Sequence, residues 1–302
     1  MKKTAFVFPG QGSQYVGMGR DLFEGNSEAR GLFGQADSVL GFGLSSLCFE
    51  GPEEELRQTK NTQPAIFVHS VIVARLLRGL RADVAAGHSL GEYSALVYAG
   101  ALTFEDGLRL VRLRGELMQQ AGVKHPGTMA AVVGLEPSVV EEVCREAQAS
   151  GIVQPANFNS PGQIVISGSV EGVRKAMEIA KSRGAKLARK LPVSGAFHSP
   201  LMESALGGLT GALERTTIQD AAIPVYANVS GRPVQTRDEI RTSLARQLTS
   251  PVRWEESVTA MIADGVGTVV EVGPGKVLQG LAKRINNSIE VRGMEKLTDL
   301  SS

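Results

Sequence analysis

The feature that most constrains this chain is a pentapeptide set between two kinds of periodicity. The apolar run Val84-Ala85-Ala86 stops at Gly87-His88-Ser89-Leu90-Gly91, and Tyr93, Ala95, Leu96 and Tyr98 then follow a helical pattern. Gly-x-Ser-x-Gly between a strand and a helix is the context of a nucleophile elbow, where a sharp turn holds a serine hydroxyl at its tip. The glycines flanking Ser89 lack a Cβ and are expected to supply the φ values that other residues resist. The helix N-terminus behind the turn favours negative charge beside the hydroxyl. Any such pentapeptide can arise by chance in a Gly-rich chain, but here the flanking strand and helix argue against it. Ser89 is the candidate nucleophile.

An alternating α/β pattern surrounds the elbow. A strand at 4–8 runs into the Gly-rich turn Phe8-Pro9-Gly10-Gln11-Gly12-Ser13-Gln14, whose backbone amides can approach a ligand closely. That turn lacks the Gly-Lys-Ser/Thr ending of a phosphate loop. Helices are expected at 26–40, at 61–80 with Pro64 in the first turn, and from Thr103 to about 120. Strands at 224–229 and 266–272 and helices at about 238–248 and 276–285 continue the pattern. Between them the texture changes. Strands at 128–133, 152–158, 163–167 and 185–191, with helices at 137–149 and 170–183, read as β-α-β-β-α-β. The strands at 152–158 and 163–167 are joined through Asn159-Ser160-Pro161-Gly162. The expected fold class is therefore α/β, with an α/β-hydrolase-like large subdomain (1–124 and 196–302) and an inserted ferredoxin-like small subdomain (125–195).

Composition excludes several functions. A net charge of +1, from 32 basic and 31 acidic residues, gives no reason to expect nucleic acid or an anionic membrane as partner. Cys48 and Cys144 lie too far apart to suggest a disulfide framework, and no histidine pair has metal-ligand spacing, so no metal is expected. The apolar run after Lys2-Lys3 ends at Pro9-Gly10, too short for a secretion signal, and nothing reaches membrane-span length. A soluble, cytoplasmic protein is expected.

A serine nucleophile needs a base. His198, in the turn Gly195-Ala196-Phe197-His198 where the chain re-enters the large unit, is preferred over His88, because neighbours on a tight turn point apart. A surface histidine capping the next helix is the competing reading of His198. His69 reads as a packed helix residue and His125 as a boundary-loop residue. Between Ser89 and His198 the only aspartate is Asp106, at a helix start. A Ser–His pair oriented by a carbonyl is thus expected in place of a full triad. For an oxyanion hole the amide of Leu90 is the natural first donor and that of Gln11 fits as second. Arg114 has Leu110, Val111, Leu117 and Met118 as helical neighbours, so its guanidinium lies in an apolar stripe and needs an anion. That anion is either an internal Asp or Glu or a substrate carboxylate; the residues leave both open. Lys186, Arg189 and Lys190 form a small basic cluster, either a solvated strand end or a contact for an acidic partner.

Taken together, Phe8–Gln14, Gly87–Glu92, Arg114, Gly195–His198 and Gln247 followed by Pro251-Val252-Arg253-Trp254 resemble the malonyl-CoA:acyl carrier protein transacylases of fatty acid synthesis, over essentially the full length. The resemblance implies a ping-pong transfer. Ser89 would take malonyl from malonyl-CoA with His198 as base, and the phosphopantetheine thiol of acyl carrier protein would then collect it. It further implies that Arg114 binds the malonyl carboxylate, that the Gln11 and Leu90 amides form the oxyanion hole, and that the Gln247 carbonyl orients His198. His88 and Phe197 would line the substrate site, and Leu90 and Phe197 match the pattern of malonyl over methylmalonyl selection. No cofactor is implied, and a monomer is expected. Two rivals remain at this stage: a thioesterase or esterase of the α/β-hydrolase type, and a non-catalytic carrier-protein docking module.

Overall fold

A computed structural model describes residues 2–301; positions 1 and 302, the outer limits of the expected large unit, lie outside the described residues. In chain order the strands are β1 (Lys3–Phe8), β2 (Val84–Gly87), β3 (Gly127–Val133), β4 (Val153–Ser160), β5 (Gln163–Ser169), β6 (Leu187–Lys190), β7 (Val225–Ala227), β8 (Arg232–Val234), β9 (Val252–Arg253), β10 (Val266–Val272) and β11 (Glu290–Met294). They form a six-stranded sheet in the order β11-β10-β1-β2-β7-β8 and a five-stranded sheet in the order β6-β3-β5-β4-β9.

The first sheet is parallel except for the β7–β8 hairpin. Its central strands are buried on both faces, as parallel strands between helical layers must be. Alternation divides them: Phe6, Phe8 and Ala85 join one core, while Ala5, Val7, Val84 and Ala86 join the other. Phe67, Leu96 and Val111, from helices Thr59–Leu76, Gly91–Tyr98 and Phe104–Lys124, belong to the first core. Val258 and Leu281, from Trp254–Ala263 and Val277–Ile285, belong to the second.

The helix expected at 61–80 starts and stops earlier, at Thr59–Leu76, so Pro64 falls in its second turn. A proline there cannot donate to the carbonyl four residues back. That carbonyl, on Lys60, accepts instead from Arg112 Nη1 at 2.9 Å. Gly115, on the helix of Arg112, has no room for a side chain: a Cβ would lie 2.8 Å from the Thr59 carbonyl oxygen. The two helices therefore meet backbone to backbone, and the one carrying Arg114 is fixed at this depth.

In the second sheet β3 to β6 are antiparallel, in the 4-1-3-2 order of a ferredoxin-like unit. Helices Pro137–Ala147 and Val170–Ser182 pack with Ala130, Val132, Ile164 and Ile166, while Met129, Ala156 and Val165 turn to the main core. The fold is thus mixed α/β, with the two kinds of sheet expected. Sequence patterning did not show β8, β9 or β11. Of these β9 matters most: it comes from beyond residue 196 yet pairs in parallel with β4, Asn157 opposite Val252. No helix among the described residues is long and apolar enough to cross a membrane.

Candidate active site

Strands β1 and β2 run side by side and end together, Phe8 opposite Gly87. The turns that leave them are pressed into contact. A Cβ on Gly91 would lie 2.0 Å from the Phe8 carbonyl oxygen, one on Gly10 2.5 Å from that of His88, and one on Gly87 1.9 Å from the Gly91 carbonyl carbon. The elbow glycines are thus required by close approach and not, as expected, by φ. The left-handed residue is the serine itself, at φ 52, and the only other non-glycine with positive φ among the described residues is His198, at φ 58. For an L-residue this conformation costs about 1–2 kcal/mol, so the surrounding contacts must hold both side chains in place.

They do so in register with one another. Ser89 Oγ lies 2.8 Å from His198 Nε2, and His198 Nδ1 lies 2.9 Å from the Gln247 carbonyl and 3.2 Å from that of Ser250. Two carbonyl acceptors place the ring proton on Nδ1, which leaves Nε2 to accept from the serine hydroxyl. Burial, reinforced by the Arg114 charge, pushes the His198 pKa down to about 3, against the opposing pull of the Gln247 and Ser250 carbonyls. The imidazole is neutral near pH 7. No carboxylate touches either nitrogen among the described residues.

Arg114 is 1% exposed and makes no ion pair among the described residues. Its Nη1 donates to Gln63 Oε1 at 2.8 Å, its Nη2 to Ser89 Oγ and Gln247 Oε1 at 3.0 Å each, and its Nε has no hydrogen-bond partner among the described residues. Of the two anions left open by the sequence, no internal carboxylate forms an ion pair with Arg114 among the described residues. Glu92 is the nearest candidate, but its Oε2 accepts from the Asn228 N–H and from Gln247 Nε2, both at 2.9 Å. Burial raises the Glu92 pKa to about 7 even so, and burial lowers that of Arg114.

These groups open onto a cavity of about 160 Å³. Gln11, Leu90, Phe197 and His88 line it together with Gln63 and Met118; Met129, Asn157, Asn159, Leu191 and Val193 close the far side. The backbone N–H groups of Gln11 and Leu90 donate to no protein acceptor among the described residues. His88 Nε2 lies 2.8 Å from Asn159 Oδ1, so its ring reaches across to the second sheet, away from Ser89. Asn159 and Ser160 belong to β4 and not, as expected, to the turn after it. Lys186, Arg189 and Lys190 are exposed, and Arg189 and Lys190 end β6 just before the cavity wall at Leu191. Cys48 and Cys144 are free and buried, and no cluster of three or more potential metal ligands occurs among the described residues.

Sequence reasoning missed Gln63, Glu92, Asn159 and Asn228. A signal existed only for Glu92: a lone acid in the first turn of a helix that carries no other charged residue.

This geometry has close parallels. The acyl transferase domain profile matches residues 5–298. A malonyl CoA-acyl carrier protein transacylase of Bacillus subtilis is 49% identical over 293 residues, 96% of this chain and 92% of that protein. The crystal structure of an acyl carrier protein S-malonyltransferase from Vibrio cholerae superposes with a TM-score of 0.95 at 44% identity, covering 99% of both chains. A holo type II PKS acyl-carrier protein in complex with its malonyl-transacylase provides another match, with a TM-score of 0.96 at 43% identity over 99% of this chain and 98% of that one.

Proposed function

This chain belongs to the acyl transferase domain family, and from that premise we propose that it carries a malonyl group from malonyl-CoA to the phosphopantetheine thiol of acyl carrier protein, supplying extender units for fatty acid synthesis. The observation that carries the choice of acyl group is Arg114: a buried guanidinium with no carboxylate ion-paired to it among the described residues, its Nη2 3.0 Å from the Ser89 oxygen. Such a group is matched to an acyl chain ending in a carboxylate. Neither the esterase reading nor the docking-module reading gains support, since a neutral acyl chain has no use for that charge and a docking module has no use for the Ser89–His198 pair.

The steps follow from the geometry. Ser89 Oγ attacks the thioester carbonyl carbon while its proton passes to His198 Nε2, and the imidazolium that forms is stabilised by the Gln247 and Ser250 carbonyls on Nδ1. The oxyanion of the tetrahedral intermediate is received by the Gln11 and Leu90 amides. Collapse breaks the C–S bond, and His198 returns the proton to the departing coenzyme A sulfur. The carrier thiol then gives its proton to His198, attacks the malonyl ester, and expels Ser89 Oγ, which takes the proton back. Leu90 and Phe197 supply bulk near the α-carbon that disfavours a methyl branch, an effect limited to about 1–3 kcal/mol. Residues 1–124 and 196–302 act as the catalytic unit and 125–195 as the small unit. The enzyme works as a cytoplasmic monomer without metal or organic cofactor.

Intact mass after mixing with malonyl-CoA and no acceptor tests this. A malonyl adduct that maps to Ser89 and discharges on adding carrier protein is expected, with acetyl-CoA and methylmalonyl-CoA giving far less. Thioester loss without an adduct would instead indicate hydrolysis.

A further inference from the structure

Asn228 lies fully buried one residue beyond β7, and none of the chemistry above uses it. Register explains why it is there. Strands β2 and β7 pair in parallel, Ala85 opposite Val225 and Ala86 opposite Tyr226, with the Ala85 N–H donating to the Pro224 carbonyl. If that ladder continued, the backbone N–H of residue 228 would donate to the Gly87 carbonyl, and its C=O would accept from the Ser89 N–H. The elbow carries the chain out of the ladder at Ser89. Both groups are nevertheless bonded, and to the side chain: Asn228 Nδ2 donates to the Gly87 carbonyl at 2.7 Å, and the Ser89 N–H donates to Asn228 Oδ1 at 2.7 Å. The backbone of Asn228 is engaged elsewhere, its N–H with Glu92 Oε2 and its carbonyl with the Arg253 N–H, both at 2.9 Å.

We propose that Asn228 is a positioning residue for acyl transfer: its carboxamide replaces the missing ladder partner of the elbow, holds Ser89 in its left-handed conformation, and leaves the oxyanion to the Leu90 and Gln11 amides by occupying the Ser89 N–H. The role needs a donor and an acceptor on one planar group, which an ionised carboxylate or an alkyl chain cannot provide. Gln247 completes the frame, since its Nε2 donates to the Ser89 carbonyl at 3.0 Å while its own carbonyl holds His198. The nucleophile is thereby clamped at both ends of its residue, and one clamp is shared with the base.

The inference rests on Ser89 being the nucleophile, so wild type is measured first, by stoichiometric malonyl-Ser89 formation. The rate of that step is then followed by rapid quench in Asn228→Asp and Asn228→Leu between pH 5 and 8. The charged and titratable groups tied to the position are Glu92 and Arg253, bonded to the Asn228 backbone, and Arg114 and His198, reached through Gln247 and Ser89; their own titration is removed by taking the ratio to wild type at each pH. At pH 8 both variants are expected to be about a hundredfold slower, the loss typical of a misplaced reacting group, with KM for malonyl-CoA unchanged within about threefold. At pH 5 a buried aspartate is protonated and again offers a donor and an acceptor, so Asn228→Asp should recover about tenfold relative to wild type, whereas Asn228→Leu should not. Should Asn228→Leu not fold, Asn228→Ser takes its place, with about a tenfold loss and no acid recovery. Asn228→Asp within threefold of wild type throughout, or an equal loss in both variants without acid recovery, overturns the assignment. A wild type that forms no adduct on Ser89 overturns the functional reading instead.

Discussion

The six-stranded sheet brings to the cavity every lining group that holds a charge or moves a proton, while the five-stranded sheet brings a neutral wall. Ser89, His198 and Arg114 come from the loops and helices of the first; Met129, Asn157, Asn159, Leu191 and Val193 come from the second. The difference follows from how the sheets end. Parallel strands discharge all their connections at one edge, where turns such as 87–91 can be pressed together until backbones touch. The antiparallel sheet instead offers a face, with side chains standing perpendicular to it in alternation. Chemistry needs several chain segments at one point, and selection needs a shaped surface. A neutral wall also strengthens the charge opposite it, since electrostatic attraction grows as water is excluded.

The contrast can be broken most decisively at the nucleophile. Ser89→Ala is expected to abolish acylation, a loss on the order of 10⁴-fold or more, with the fold unchanged by circular dichroism. Arg114→Ala should lower malonyl transfer by about 3–5 kcal/mol, the cost of breaking a buried charge pair, while residual acetyl transfer changes less than tenfold; equal losses for both acyl groups would remove Arg114 from the carboxylate site. The buried histidines give a further asymmetry, because His69, His88 and His198 all belong to the first sheet's surroundings. Burial lowers the His69 pKa to about 4, so the folded state resists protonation while the unfolded chain, at its ordinary value, accepts it. Stability is then lost as pH falls below about 6.5, by about 2 kcal/mol at pH 5. Glu92, raised to about 7, works in the opposite direction, so the comparison is wild type against His69→Leu. The unfolding midpoint of wild type should fall relative to that of His69→Leu on going from pH 7 to 5.

The wall should behave otherwise. Leu191→Ala is expected to leave malonyl transfer within a fewfold of wild type while raising the methylmalonyl-to-malonyl ratio by about tenfold, the effect of one to two methyl groups of space. The smallest effect concerns the base. With His198 held at about 3, acylation should change less than about threefold between pH 7 and 5, and a steep loss near pH 6.5 would show that the imidazole titrates normally.

What could be read from the sequence was what is local. The elbow, the inserted β-α-β-β-α-β unit, and Arg114 on an apolar stripe all depend on neighbours within one turn or one strand. Gathering Ser89, Arg114 and His198 around one cavity depended instead on several motifs taken together. Asn228 was invisible because its task is defined by the register of β7 against β2, across 139 residues of chain. The two residues of β9 carry no periodicity, and Asn159 was assigned to a turn because Pro161 and Gly162 follow it. The role of the elbow glycines was misjudged for a related reason: close packing of two turns leaves no trace in a single segment.

The pairing of β9 with β4 has a mechanical consequence. The small unit is joined to the large one by two chain crossings, at the start of β3 and just past β6, which lie next to each other in the sheet. A body held at two neighbouring points can still swing about the line through them. Attachment of β9 at the opposite margin supplies a third point off that line and opposes such a swing. Held at three points, the gap between the sheets is braced as a gauge is, and not hinged as a jaw is.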